Sequence, residues 1–451
     1  MNCELGRQFA IAACVYLGQI IVGISMGWTA PIISKLQNIE ETPLDRVISD
    51  AEASWVVSIT FVGTLTGPYI SGYLGNVIGR KPCLFLGGTM FLVCFVIFGF
   101  TVHISMIYIG RIVSGIGCGI LFVTNLVYLG ELASTKIRGT LLTLTGFSNT
   151  FGILIVYSIA PFVSYAWTNW ISAMLCVLYL AGIFFIVPET ATYQVMAGNK
   201  EEAMAILTSL GRKGDIDDVV AAANEKPMSN FEQLTEMFTL KTNRKALFII
   251  IVLNICQQAS GVMAIISFVT LIFELTGSNI EAHISTIIIG VTQVFAASIA
   301  PVLVDRSGRR ILLLVSTAAC SISLVALGTY FYMYNTDHPA VDSIQWLSLV
   351  SLMLYFIAYF SGFGIIPNTF IGEMFTDNCR SFASTFTVTV GWLFGFAVSS
   401  TFGYILAAWG PAVVFWIYAV ACAFTFFFSV VFVPETKGKS FLEIQKMLGG
   451  K

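Results

Sequence analysis

From residue 381 to residue 433 the chain carries no charged side chain, a stretch of 53 residues. One helix crosses a bilayer in about 20 residues, so this run is too long for a single span. Trp409-Gly410-Pro411 offers a natural break within it. The rest of the sequence repeats the pattern. Uncharged runs occupy 9–34, 54–79, 82–102, 139–163, 165–187, 246–273, 284–304, 311–336 and 343–372, and 105–130 holds one charge, Arg111. With the long run split in two, twelve membrane-spanning helices are predicted. The runs are continuously apolar and lack the period-2 alternation of porin strands, which favours helices over a barrel. Charged residues make up only 11% of the chain, against about 25% in soluble domains. Too few remain to cover the surface of a soluble helical protein. The net charge of −2 gives no case for a nucleic acid or an acidic partner. The first run has a single flanking basic residue, Arg7, and eleven spans follow it, so it reads as a span and not as a cleaved signal.

Charge orients the spans. With the amino terminus placed in the cytosol, 20 Lys and Arg fall on the inner side, only Lys35 and Arg46 fall outside, and Arg111 lies within a span. This is the distribution of the positive-inside rule, and both termini are predicted to be cytosolic. None of the ten cysteines falls in an outer loop, so no exofacial disulfide is expected. There is no metal-ligand spacing, phosphate loop or nucleophile elbow, and no cofactor is expected. Gly115, Gly117 and Gly119 read as close helix packing rather than nucleotide binding.

Three features recur in order. Gly75-Asn76-Val77-Ile78-Gly79-Arg80-Lys81 returns as Val304-Asp305-Arg306-Ser307-Gly308-Arg309-Arg310. Glu131 with Arg138 returns as Glu373 with Arg380, and Pro188-Glu189-Thr190 returns as Pro434-Glu435-Thr436. The offsets are 229, 242 and 246 residues. The chain therefore divides into an amino-terminal six-helix bundle (1–188), a polar cytosolic segment (189–245), a carboxy-terminal bundle (246–433) and a tail (434–451). Parallel repeats of this kind typify transporters that rock around a central site. Asn199 with Glu202, Ser229 with Glu232 and Ser440 with Glu443 have capping-box spacing, which predicts helices in the segment and tail. A disordered linker is the alternative for 189–245.

These residues resemble the sugar porter family of the major facilitator superfamily. The resemblance runs through Gly110-Arg111, Tyr128-Leu129-Gly130-Glu131 to Arg138-Gly139, Gln257-Gln258 with Gly261, Val304 to Arg310, Glu373 to Arg380, and Pro434-Glu435-Thr436-Lys437-Gly438. Gln293 and the Gly362-Phe363-Gly364 turn look most like its facilitated trehalose transporter branch. The resemblance implies a major facilitator fold and uniport of a hexose or a disaccharide such as trehalose. It also implies a lipid-embedded, monomeric protein of the plasma membrane that is not an enzyme. Sugar contacts would fall to Gln257, Gln258, Gln293 and Trp392, with Asn368 and Asn149 as further candidates. For each Gln, an ordinary helix–helix hydrogen bond is the competing reading. A cytosolic gate between the halves would use Arg80, Glu131, Arg138, Asp305, Arg306, Arg309, Glu373 and Arg380.

The sequence also departs from the family. Gly146 stands where a sugar-binding Gln is usual, Met263 replaces an Asn, and Ser267 and Phe268 replace a Tyr pair. Phe360 replaces a Glu, and Asn368 replaces a Trp. Ser25 occupies the position of the first-span Asp of proton-coupled relatives, and no Asp or Glu lies mid-span. Proton-driven carriers usually need a titratable group within the membrane, so passive uniport is expected. Asn76, Thr192 and Ser134 replace a family acid, Arg and Pro near the gate, which implies a weakened outward-facing state. The altered cavity leaves two alternatives: a carrier of a non-standard polyol or other small solute, or a non-transporting nutrient sensor on the same scaffold.

Overall fold

A computed structural model describes residues 2–134, 137–224, 230–278, 280–439 and 441–449. Among them every regular element is helical. The chain groups into two compact units, residues 1–47 with 59–226 and residues 48–58 with 227–451. The first contains α1 (Asn2–Gly27), α2 (Thr29–Gln37), most of α3 (Asp50–Val77), α4 (Arg80–Gly99), α5 (Ile104–Leu132), α6 (Arg138–Ile159) and α7 (Tyr165–Phe185), followed by the short α8 (Ala191–Met196), α9 (Lys200–Ser209) and α10 (Ile216–Asn224). The second holds α11 (Asn230–Thr239), α12 (Lys241–Ala259), α13 (Val262–Glu274), α14 (Ala282–Ser307), α15 (Arg309–Asn335), α16 (Trp346–Ala358), α17 (Ile366–Met374), α18 (Asp377–Phe432) and the tail helix α19 (Phe441–Gly449).

Among the described residues, eleven helical segments are long and apolar enough to cross a membrane, where the sequence predicts twelve. The difference lies in the uncharged 53-residue run. Helix α18 continues through it, but Gly410 turns out of helical geometry at φ 78°, ψ 171°, directly before Pro411. The run is thus two legs joined at the predicted break, and they supply the eleventh and twelfth spans.

Close packing in the first unit rests on small residues. A Cβ at Gly115 would overlap the Thr60 carbonyl, and one at Gly119 would lie 2.8 Å from the Gly67 Cα. The glycines of α5 therefore let α3 approach backbone to backbone, as expected for helix packing in lipid, where apolar burial alone drives no association. The polar segment folds as short helices with their own small core of Ala191, Val195, Ala203, Leu207 and Val219. Thr190 caps α8 by accepting from the Tyr193 N–H. Helix α9 starts after Asn199 as predicted, but the Asn199 side chain makes no cap bond there; its Nδ2 donates to Gln194 Oε1 at 3.2 Å instead. Ser229 and Ser440 lie outside the described residues.

Candidate functional site

Helix α12 ends where Gly261 adopts φ 79°. That left-handed conformation suits glycine, and the Tyr418 ring fills the space a Cβ would need. Ser260 Oγ donates to the Gln257 carbonyl at 2.7 Å, closing the broken turn. Just before the break, Gln257 and Gln258 are both 93% buried. The structure gives them different tasks. Gln257 Nε2 donates to the Phe363 and Gly364 carbonyls at 3.1 and 2.9 Å. Those carbonyls end a π-helical turn at Tyr359–Phe363, where the shifted ladder leaves backbone acceptors to be satisfied. Gln257 here braces the tenth span. Gln258 Oε1, by contrast, is buried with no partner.

Gln293 is fully buried in α14, and both of its amide atoms lack partners. A buried polar atom left unpaired costs about 1–3 kcal/mol, so each such atom in an apolar span calls for an explanation. Of the other candidates in the second unit, Trp392 is half-buried and Asn368 is exposed. Asn149 lies in the first unit, half-buried, with Nδ2 3.9 Å from Met26 Sδ. The family departures are filled apolarly or left open. Phe268 stacks on Phe402 at 4.4 Å, Phe360 packs against Tyr359 and Phe356, and nothing lies within 4 Å of where a Gly146 side chain would start.

Arg111 is the one charge inside an otherwise neutral span, and it is 3% exposed. Its Nη1 donates to the Ser25 carbonyl at 2.9 Å, and its guanidinium lies 5.7 Å from the Trp28 ring. The buried cation is thus held by a backbone oxygen and an aromatic face at the step between α1 and α2.

The span ends that bear the repeated motifs carry the sequence repeat into three dimensions. In the first unit Arg80 Nε and Nη2 reach Glu131 Oε1 at 3.3 and 3.1 Å, and Arg80 Nη1 donates to the Gly75 carbonyl at 2.8 Å. Glu189 accepts from the Arg80 and Lys81 N–H groups, both at 3.0 Å. In the second unit Arg309 Nε pairs with Glu373 Oε1 at 3.1 Å, and Arg309 Nη1 donates to the Val304 carbonyl at 3.5 Å. Glu435 accepts from the Arg309 and Arg310 N–H groups at 3.0 and 3.1 Å. Each acid after a proline thereby caps the helix that begins with the paired arginine, where orphan N–H groups and the helix dipole favour an anion.

The two capping acids differ in environment. Burial raises the Glu189 carboxyl above its usual range, outweighing N–H bonds from Thr190, Lys81 and Arg80. Burial also opposes ionisation of Glu435, but N–H groups of Lys437, Arg309, Arg310 and Thr436 overcome it and hold that carboxyl below its usual range. In both arginine pairs the second carboxylate oxygen, Glu131 Oε2 or Glu373 Oε2, is buried without a partner. Arg138 and Arg306 are exposed. The side chains of Asp305 and Arg380 lie outside the described residues. From sequence, Glu189 and Glu435 fall in the repeat but not in the site; their recurrence in the matched Pro-Glu-Thr of both halves was the available signal.

Apolar spans in two repeated sets, with matched charge knots at their ends, define a multi-pass membrane transporter. A family model described as "Sugar (and other) transporter" matches residues 11–448. The facilitated trehalose transporter Tret1 of Polypedilum vanderplanki is 34% identical over 98% of this chain and 88% of its own length. The Culex quinquefasciatus Tret1 is 32% identical over 100% of this chain and 87% of its own length. Against the Anopheles gambiae Tret1, 32% identical, the chain spans only 56% of the relative's length. Among solved structures, the xylose transporter XylE from E. coli in an inward open conformation superposes with a TM-score of 0.81 at 22% identity, covering 98% of this chain and 99% of that one. Its partially occluded inward open form gives 0.78 at 23%, covering 96% and 100%. The chain belongs to the sugar transporter family of the major facilitator superfamily, and it is a transporter, not an enzyme.

Proposed function

We propose that this protein carries a sugar, either a hexose or a disaccharide such as trehalose, down its gradient across the plasma membrane by alternating access. The observation that carries this reading is the set of open amide atoms at Gln258 and Gln293, buried in apolar spans. Sugar hydroxyls supply both donors and acceptors, which matches what these atoms lack. The trehalose transporters named above support the substrate class. Uniport is supported by the absence of any mid-span carboxylate and by Ser25, whose carbonyl, not an acid, faces Arg111. The Arg80–Glu131 and Arg309–Glu373 pairs serve as the cytosolic gate, each with a spare acceptor for a further donor when the inner ends rearrange. With this orientation both termini face the cytosol.

A second reading has its own observation. Gly146, Phe268 and Phe360 give open or apolar surface at positions where relatives carry polar groups. This favours a non-standard polyol or other small organic solute over glucose. Counterflow into proteoliposomes with labelled trehalose, glucose and a polyol panel separates these readings. Exchange of trehalose or a hexose supports the first, and exchange of polyols alone supports the second. No exchange of any member sinks both and points to a sensor.

A further inference from the structure

Helix C-termini leave their last carbonyls without intrahelical donors. Helix α5 ends directly after Glu131, and α17 ends directly after Glu373. In the first unit the buried Arg212 returns from the polar segment and donates through Nη1 to the Glu131 and Leu132 carbonyls at 2.6 and 3.0 Å. Asp215 Oδ2, 2.8 Å from Arg212 Nε, fixes the guanidinium. Gln8 Nε2 ties the same loop to α1 by donating to the Leu210 carbonyl at 2.7 Å. In the second unit Gln445 Nε2 comes back from the tail helix and donates to the Met374 carbonyl at 2.7 Å. Leu132 and Met374 are separated by 242 residues, as are Glu131 and Glu373. The same carbonyl of the repeat is therefore capped twice.

The segments that do the capping are not themselves repeats. Arg212 follows Glu189 by 23 residues, whereas Gln445 follows Glu435 by 10. Two unlike segments converge on one backbone position, and in each unit the neighbouring residue is the acid that holds the arginine. A cation or neutral donor at a helix C-terminus also favours the helix electrostatically. We infer that Arg212 and Gln445 are positioning residues for the two charge pairs, fixing the last turns of α5 and α17 so that Glu131 and Glu373 meet Arg80 and Arg309. This inference rests on the gate reading above.

A double-mutant cycle tests it with protein reconstituted in proteoliposomes and labelled trehalose and glucose as probes. Arg212→Ala is expected to lower maximal flux at least about ten-fold, the loss of roughly one charge-assisted hydrogen bond, with KM little changed. Arg212→Gln, which installs the donor type of the second unit, is expected to recover most of the flux. In a Glu131→Gln background Arg212→Ala should add nothing. A parallel readout that needs no substrate is hydrogen exchange at the first turn of α4, residues 80–84, which Arg212 does not touch. Arg212→Ala should speed exchange there, and Glu131→Gln should abolish that increment. Additive effects in either readout overturn the inference, because a linker anchor acting independently of Glu131 would give them. If Arg212→Ala does not fold, Gln445→Ala carries the same cycle in the second unit, against Glu373→Gln with exchange read at residues 309–313. If Glu131→Gln alone leaves flux unchanged, the gate reading fails instead. If wild-type protein carries neither sugar, the sugar reading fails while the exchange cycle still decides this one.

Discussion

Gly261→Ala should be among the most damaging single-methyl additions in this protein. Two costs add at that position. An L-residue held in the left-handed region costs about 1–2 kcal/mol, and Gly261 sits at φ 79°. The added Cβ would also overlap the Tyr418 ring, which is 4% exposed and cannot swing into open space. Overpacking of that kind costs about 1–3 kcal/mol. The sum, about 2–5 kcal/mol, should appear as a large fall in melting temperature of the detergent-purified protein. The break between α12 and α13 follows Gln257 and Gln258, so their placement, and with it solute affinity, should suffer as well. Tyr418→Ala separates the two terms. In that background Gly261→Ala should cost only the conformational part, about 1–2 kcal/mol. The reasoning is refuted if Gly261→Ala shifts stability by less than about 0.5 kcal/mol, the ordinary range for a benign substitution, or if its cost is the same with and without the Tyr418 ring.

Gly146→Gln should be tolerated, since nothing lies within 4 Å of the new Cβ; it should lower the KM for hexoses in counterflow, and a raised or unchanged KM would count against open space facing the solute. Glu435→Gln should destabilise the protein by about 1 kcal/mol through loss of charge-assisted bonds to N–H groups, whereas Glu189→Gln should cost less because its burial penalty disappears with the charge. The two acids also predict opposite pH trends. The depressed Glu435 carboxyl contributes stability above the unfolded-state pKa of about 4.3, and this is lost as pH falls through its folded value. The raised Glu189 carboxyl makes its contribution grow as pH falls through its folded value. Melting curves of Glu435→Gln should therefore lose part of the acid sensitivity of wild type, and those of Glu189→Gln should gain some. Asn76→Asp restores an acid at an exposed position near the end of α3 and should raise outer-side accessibility of a cavity probe, which an unchanged labelling rate would contradict.

Much of this architecture was legible in the residues because lipid imposes a simple rule: charges stay out of spans. The uncharged runs became the long helices, and Gly410 before Pro411 became the turn in α18. The repeated glycine–arginine, glutamate and proline–glutamate features became matched charge knots, because each feature is local and sits at a span end. Side-chain destinations were less accessible. Nothing in the letters Gln257-Gln258 says that the first braces a π-helical turn more than 100 residues away while the second keeps an open carbonyl. Arg212 and Gln445 were invisible as site residues for the same reason. Their role exists only once the polar segment and the tail fold back onto span ends. Capping-box spacing placed α9 correctly, yet the expected bond is absent because Asn199 turns to Gln194.

The most direct test is uptake of labelled trehalose and glucose into proteoliposomes with and without an inward proton gradient. Facilitative sugar transport predicts saturable uptake of at least one of these sugars that stops when inner and outer concentrations are equal, with the same end point whether or not the gradient is present. Accumulation above the outer concentration, driven by the proton gradient and abolished by its collapse, would contradict it.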